Sequence, residues 1–359
     1  MCPVSYESVA FRVKRVRRRP DTWPRTGPRG VPPYEAHQPT EGATSVTEST
    51  QHEHWMPGES RTVDLGGPVH YVDFGGRDDG RTIVLVHGLG GSHLNWDLLA
   101  PLLRRHARVL ALDLPGFGHS EPGERRATVQ ANVEVLDRFL TEVVGKPVVL
   151  VGNSMGGMIS ILEAARSPEA VSELVLLDAA VPGPRRSLDP LVAATFAIYA
   201  VPMVGERFLW LRRQRQTPLR RVRDVLRMCG VDPDAVPAET IDRSVDMLEG
   251  RKDVVGMDKA FLIAARSLLR LLADPRAYRA AMASVTSPVL MLQGDEDRLV
   301  PAAAARDVAQ RNPGWTYVEL AGVGHVPQLQ VPGRVASEIL AWLPDRRLSR
   351  LDAPPAAHP

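Results

Sequence analysis

Residues 146–162 read Lys-Pro-Val-Val-Leu-Val-Gly-Asn-Ser-Met-Gly-Gly-Met-Ile-Ser-Ile-Leu, and the reading of the fold turns on how this stretch divides. Pro147–Val151 is a short, β-branched apolar run suited to a buried central strand, and the run from Met155 onward suits a helix with small residues at its start. Between them lies Gly152-Asn153-Ser154-Met155-Gly156, a G-x-S-x-G. A serine in a strained strand-to-helix turn needs neighbours without side chains two residues to either side. The turn then lifts the Ser154 hydroxyl clear of the sheet edge and aims it at substrate. The competing reading, a Gly-Ser turn that merely packs a helix on a strand, is separated from it by context: strand before, helix after.

The same alternation extends outward. Arg61–Leu65 and Val69–Phe74 flank Gly66-Gly67-Pro68 and read as an antiparallel hairpin at a sheet edge. Thr82–Val86 and Arg108–Leu112 read as buried strands, the first running into the glycine-rich loop His87-Gly88-Leu89-Gly90-Gly91. A helix is expected over Val129–Val143 and a strand over Glu173–Leu177, ending at Asp178. From Val181 to about Ser284 the pattern is helical and rich in arginine, with no strand candidate. Strands at Val289–Leu292 and Thr316–Leu320 then alternate with helices at Ala302–Gln310 and Arg334–Trp342. Strands alternating with helices imply a mostly parallel sheet covered on both faces, and the long helical stretch is best placed as an inserted cap. Ligands of such sheets bind at the C-terminal ends of strands, where the glycine loop, Ser154 and Asp178 all fall.

A serine hydroxyl needs a base to take its proton and a third group to orient that base. Gly294-Asp295-Glu296-Asp297 follows one strand and Gly324-His325-Val326-Pro327 follows the next, so Ser154, Asp297 and His325 succeed one another on strand ends. His93, just past the glycine loop, is a candidate for the pocket wall, as are Asn153 and Val326.

The motifs H-G-L-G-G at 87–91, D-L-P-G-F-G-H-S at 113–120, G-N-S-M-G-G at 152–157, G-D-E-D-R-L-V-P at 294–301 and G-H-V-P at 324–327 together resemble the α/β-hydrolase family over residues 61–345. The resemblance implies an eight-stranded, mostly parallel sheet flanked by helices. It also implies Ser154 as nucleophile, His325 as general base and then acid, and Asp297 as the orienting carboxylate, with the N–H groups of Leu89 and Met155 as oxyanion hole. Asp297 is preferred to Asp295 on the family's G-x-x-D spacing, and Asp178 stands where some relatives carry the acid. His87 is expected to buttress its loop, and Asp113 and His119 to scaffold theirs. Haloalkane dehalogenases and epoxide hydrolases resemble this architecture but carry an aspartate at the nucleophile position. Carboxylic ester hydrolysis is therefore the expected reaction, with carbon–carbon cleavage of ring-fission products, or a cofactor-free haloperoxidase or perhydrolase activity, as alternatives.

The composition narrows the setting. The chain has 359 residues and a formal net charge of only +2, which gives no electrostatic case for nucleic acid. Cys2 and Cys229 are too few and too far apart for a disulfide framework, in keeping with a cytoplasmic location. No phosphate loop, dinucleotide fingerprint or metal-ligand spacing appears, so neither cofactor nor metal is expected. The domain reading is a polar, basic tail over 1–55, hydrolase core over 56–180 and 286–346, a helical cap over 181–285 and a frayed end over 347–359. The expected partner is a small ester with an apolar acyl or alcohol part, seated under the cap. Weak contact with a membrane surface, through the cap or the basic tail, is a further expectation.

Overall fold

The computed structural model describes residues 58–77, 80–183 and 189–344. The expectations for 1–55 and 347–359 lie outside them. Eight strands form one sheet: β1 (Glu59–Asp64), β2 (Pro68–Asp73), β3 (Thr82–Val86), β4 (Arg108–Leu112), β5 (Val148–Asn153), β6 (Val171–Leu177), β7 (Val289–Gly294) and β8 (Thr316–Leu320). Their order is β1-β2-β4-β3-β5-β6-β7-β8. The β1-β2 hairpin is antiparallel, β2 meets β4 antiparallel, and the remaining pairs are parallel. Strand β5, which carries the G-x-S-x-G turn at its end, lies inside the sheet between β3 and β6.

The unbroken apolar runs of β3 and β5 follow from burial on both faces. Val84, Val86 and Leu150 join one core cluster with Phe139, Met158 and Ile159. Ile83, Leu85, Val149 and Val151, one residue out of step, join a second with Trp96, Leu99, Leu103 and Ile339. Period-two alternation thus sorts a single hydrophobic run between two layers of helices. The helix read over Val129–Val143 is α-helical only to Arg138; Phe139–Val144 is a π-helical turn closed by Gly145 at φ 66°.

Between β6 and β7 the chain leaves the sheet for helices at Pro190–Ala200, Val204–Arg215, Pro218–Met228, Ala238–Gly250, Met257–Ala273 and Arg276–Ser284. The last of these, although within the stretch read as the insertion, buries Tyr278 and Met282 in the main core, and the Tyr278 hydroxyl donates to the Ala180 carbonyl at 3.0 Å. Asp97, buried beneath the glycine loop, is ion-paired with Arg243 of the helix Ala238–Gly250. Among the described residues no single helix is long and apolar enough to cross a membrane.

Candidate active site

Ser154 occupies φ 55°, ψ −119°, a left-handed conformation rare for a residue with a side chain. It is held there by main-chain bonds: its N–H donates to Leu177 O at 3.1 Å, and its carbonyl accepts from Met158 and Ala180. The two glycines that frame it have no room for a Cβ. One added at Gly156 would lie 2.1 Å from Val86 O, and one at Gly152 would lie 2.5 Å from Gly156 O. The turn therefore needs both glycines because helix, strand and glycine loop meet there backbone to backbone. Met155 opens the following helix, where main-chain N–H groups have no intrahelical acceptor. Gly88 brings the glycine loop alongside, since a Cβ on it would be 2.9 Å from Ser154 Cβ.

His325 and Asp297 come from the loops after β8 and β7. His325 Nδ1 is 2.7 Å from Asp297 Oδ2, and both side chains are buried. Asp297 is anchored in turn: Oδ1 accepts from the N–H groups of Leu299 and Val300 at 2.8 and 2.9 Å, and Oδ2 accepts from Gln293 Nε2 at 3.1 Å. An anionic Asp297 fixes the tautomer with the proton on Nδ1, which leaves Nε2 able to take one. The rival acid, Asp178, is placed differently. Its Oδ1 accepts from Gly294 N–H at 2.7 Å, and its Oδ2 has no donor partner. Burial, reinforced by the Asp297 charge, pushes its carboxyl well above the usual range, so Asp178 holds a proton more tightly than an ordinary carboxylate does.

The other marked residues divide between scaffold and cavity. His87 Nδ1 is 2.8 Å from Gly88 O, and its Nε2 accepts from Leu114 N–H at 3.0 Å; burial lowers its pKa, so the ring is a neutral buttress. His93, expected at the pocket wall, is instead buried behind the glycine loop. Its Nδ1 and N–H both meet the Asp113 carboxylate, which also accepts from His119 N–H and contacts His70 Nδ1. The two contacts from His93 draw its ring inward and away from the lining. Asn153 lines the cavity and also braces it, Nδ2 donating to Leu177 O at 3.0 Å and to His325 O at 3.1 Å. Val326 lies on the cavity wall.

Ser154, His325 and Leu89 line one cavity of about 310 Å³, to which the insertion also contributes. Phe196, Leu209, Val222, Leu226, Met257 and Phe261 supply apolar walls from the insertion. The cap also touches the histidine loop directly, because His325 N–H donates to Cys229 O at 2.7 Å. Several functional candidates were missed from sequence. Gln293 sat inside an apolar strand and gave no signal. Arg212, Arg213, Arg221 and Arg251 line the same cavity, yet in sequence they are part of an arginine-rich helical stretch in which nothing singles them out.

Known proteins resemble this arrangement. The model of the alpha/beta hydrolase family matches residues 83–338. A pimeloyl-[acyl-carrier protein] methyl ester esterase of Photobacterium profundum is 28% identical over 261 residues, 70% of this chain and 91% of that one. A 2-hydroxy-6-oxononadienedioate/2-hydroxy-6-oxononatrienedioate hydrolase of Cupriavidus pinatubonensis is 27% identical over 232 residues, 61% of this chain and 72% of that one. Among solved structures, Cfl2 from Burkholderia cenocepacia superposes with a TM-score of 0.69 at 26% identity, covering 81% of this chain and 97% of that one.

Proposed function

The chain belongs to the alpha/beta hydrolase family, and from that premise we propose that it is a serine hydrolase cleaving a carboxylic ester through Ser154, His325 and Asp297. The observation that carries this reading is the shared cavity of Ser154 and His325, with His325 Nδ1 on the Asp297 carboxylate. His325 Nε2 takes the Ser154 proton as Oγ attacks the ester carbonyl. The N–H groups of Leu89 and Met155 receive the oxyanion, a role worth about 3 kcal/mol for each donor. The imidazolium, stabilised by Asp297, gives its proton to the departing alcohol and leaves an acyl-Ser154. Water then repeats the sequence: His325 accepts its proton, the acyl group leaves as the acid, and Ser154 recovers its hydroxyl.

A p-nitrophenyl ester series from acetate to palmitate tests the proposal. Wild type is expected to turn over best at one chain length, and Ser154→Ala and His325→Ala should each lose at least about a thousandfold in kcat. Residual activity in Ser154→Ala would overturn the assignment. A second reading, hydrolytic carbon–carbon cleavage, has the support of the Cupriavidus relative named for that kind of dioate. Turnover of a ring-fission dienoate without any ester hydrolysis would favour it. Weak membrane contact through the cap has the support of exposed Leu191, Met203 and Trp210, and liposome flotation tests it.

A further inference from the structure

The insertion lines the cavity with apolar side chains and with cationic ones. Arg212, Arg213, Arg221, Arg251 and Lys252 line it, and among the described lining residues Asp258 alone carries a carboxylate. That carboxylate is already engaged, since Arg213 meets Asp258 Oδ1 at 2.7 Å and Lys252 O at 2.9 Å. Arg212 Nε donates to Gln216 at 2.8 Å. Arg221 and Arg251 remain.

Neither Arg221 nor Arg251 forms an ion pair among the described residues, and both are only partly exposed. Arg251 NH2 reaches Gly116 O at 3.4 Å, a weak contact, and its buried Nε has no acceptor. Burial, then Arg213 and Arg212, lowers the affinity of the Arg221 guanidinium for its proton; burial brings Arg251 down to about 10 although the charges of Asp113 and Asp258 act against it. A partly desolvated guanidinium without a counter-ion is costly, and a second one beside it raises the cost. Guanidinium groups also match carboxylate and phosphate oxygens in geometry, and such charge-assisted bonds strengthen as water is excluded.

We propose that the substrate carries an anionic group, a carboxylate or a phosphate, that seats against Arg221 and Arg251 while its scissile carbonyl lies at Ser154. This assignment rests on the ester-hydrolase reading and narrows it, because an apolar chain bearing a charged far end is selected over a purely apolar one. Apolar walls hold the connecting chain and the cap arginines measure its length.

The test compares p-nitrophenyl esters matched in chain length and ending in a methyl, a carboxylate or a phosphate. For wild type, kcat/KM for one of the charged members is expected to exceed the neutral one by about 10- to 100-fold, the range of hydrogen bonds to a charged group. The better charged member identifies the anion. In Arg221→Met and Arg251→Met the charged-to-neutral ratio should fall towards one, and a ratio is insensitive to the fraction of enzyme correctly folded. Arg276→Met, which removes an exposed pair with Asp274, should keep the wild-type ratio. Equal kcat/KM for charged and neutral esters in wild type, or a preference that survives in both variants, would overturn the proposal. Should no ester be cleaved at all, the reaction assignment fails while the subsite is still decided by calorimetry. Suberate and octyl phosphate titrated into Ser154→Ala should then show binding by one of them that Arg251→Met abolishes, and absence of binding by either overturns the subsite.

Discussion

The placement of Ser154, Asp297 and His325 after successive strands was legible because each is announced by its immediate neighbours. The glycines around Ser154 are demanded by contacts of 2.1 and 2.5 Å that leave no space for a methyl group, so the need for the turn is written in the residues that form it. The choice between Asp297 and Asp178 was less legible, since both follow strands and only three-dimensional placement shows which one meets His325. That placement makes a prediction. Asp297→Asn reverses the hydrogen-bonding sense at His325 Nδ1 and favours the wrong tautomer, so kcat should fall by about 10⁴-fold. Asp178→Asn keeps the shape of a side chain that bonds Gly294 N–H and not His325, and kcat should stay within about tenfold of wild type. Steady-state kinetics on one ester at pH 8 checks both, and the reverse ranking would make Asp178 the orienting acid. His93 was misplaced for a related reason: a histidine beside a glycine loop looks available until the Asp113 carboxylate that captures it is seen 20 residues further on.

At the level of helices and loops, the insertion was readable as helical and as an apolar cover for the substrate, and Phe196, Met257 and Phe261 do line the cavity, but the part played by its arginine-rich helices was not. In Val204–Arg215 apolar and charged residues are mixed around the circumference, so no stripe marks the face that meets the cavity. Partner and orientation come from tertiary ties whose two ends are distant in sequence. The Asp97–Arg243 pair is one, joining the segment after the glycine loop to the cap helix Ala238–Gly250. Burial pushes Asp97 up to about 6 even with Arg243 opposite it. Arg243→Ala should therefore lower stability by about 1–3 kcal/mol at pH 8, towards the lower end for a buried pair because Arg243 is partly exposed. At pH 5 Asp97 takes up a proton and the loss should shrink. Urea unfolding of both proteins at the two pH values measures it, and an equal loss at both would remove the charge explanation.

For the molecule as a whole, the mostly parallel sheet covered on both faces followed from the alternation of strands with helices, while the strand order was not legible and one costly burial was hidden. Glu163 lies in the helix Met155–Arg166 with no exposure, and neither carboxyl oxygen has a hydrogen-bond partner. Burial, then the charge of Asp137, pushes its pKa up to about 8 from 4.5. The folded chain thus keeps a proton that the unfolded chain releases as pH rises above about 4.5. This group's stabilising contribution is full below that pH and is lost progressively as pH rises to about 8. Glu163→Gln should match wild type in Tm near pH 4.5 and exceed it at pH 8.5, by several degrees for roughly 1–2 kcal/mol recovered. Calorimetric scans across that range check the divergence, and parallel curves would mean that Glu163 is ionised in the fold. Nothing in the sequence around Glu163 marks it as a buried carboxyl. One further tie constrains how the insertion moves. The carbonyl of Cys229, at the end of the helix Pro218–Met228, receives the main-chain N–H of His325. Movement of that helix away from the sheet would break a bond to the main chain of His325, so the helix and the histidine loop have to shift together.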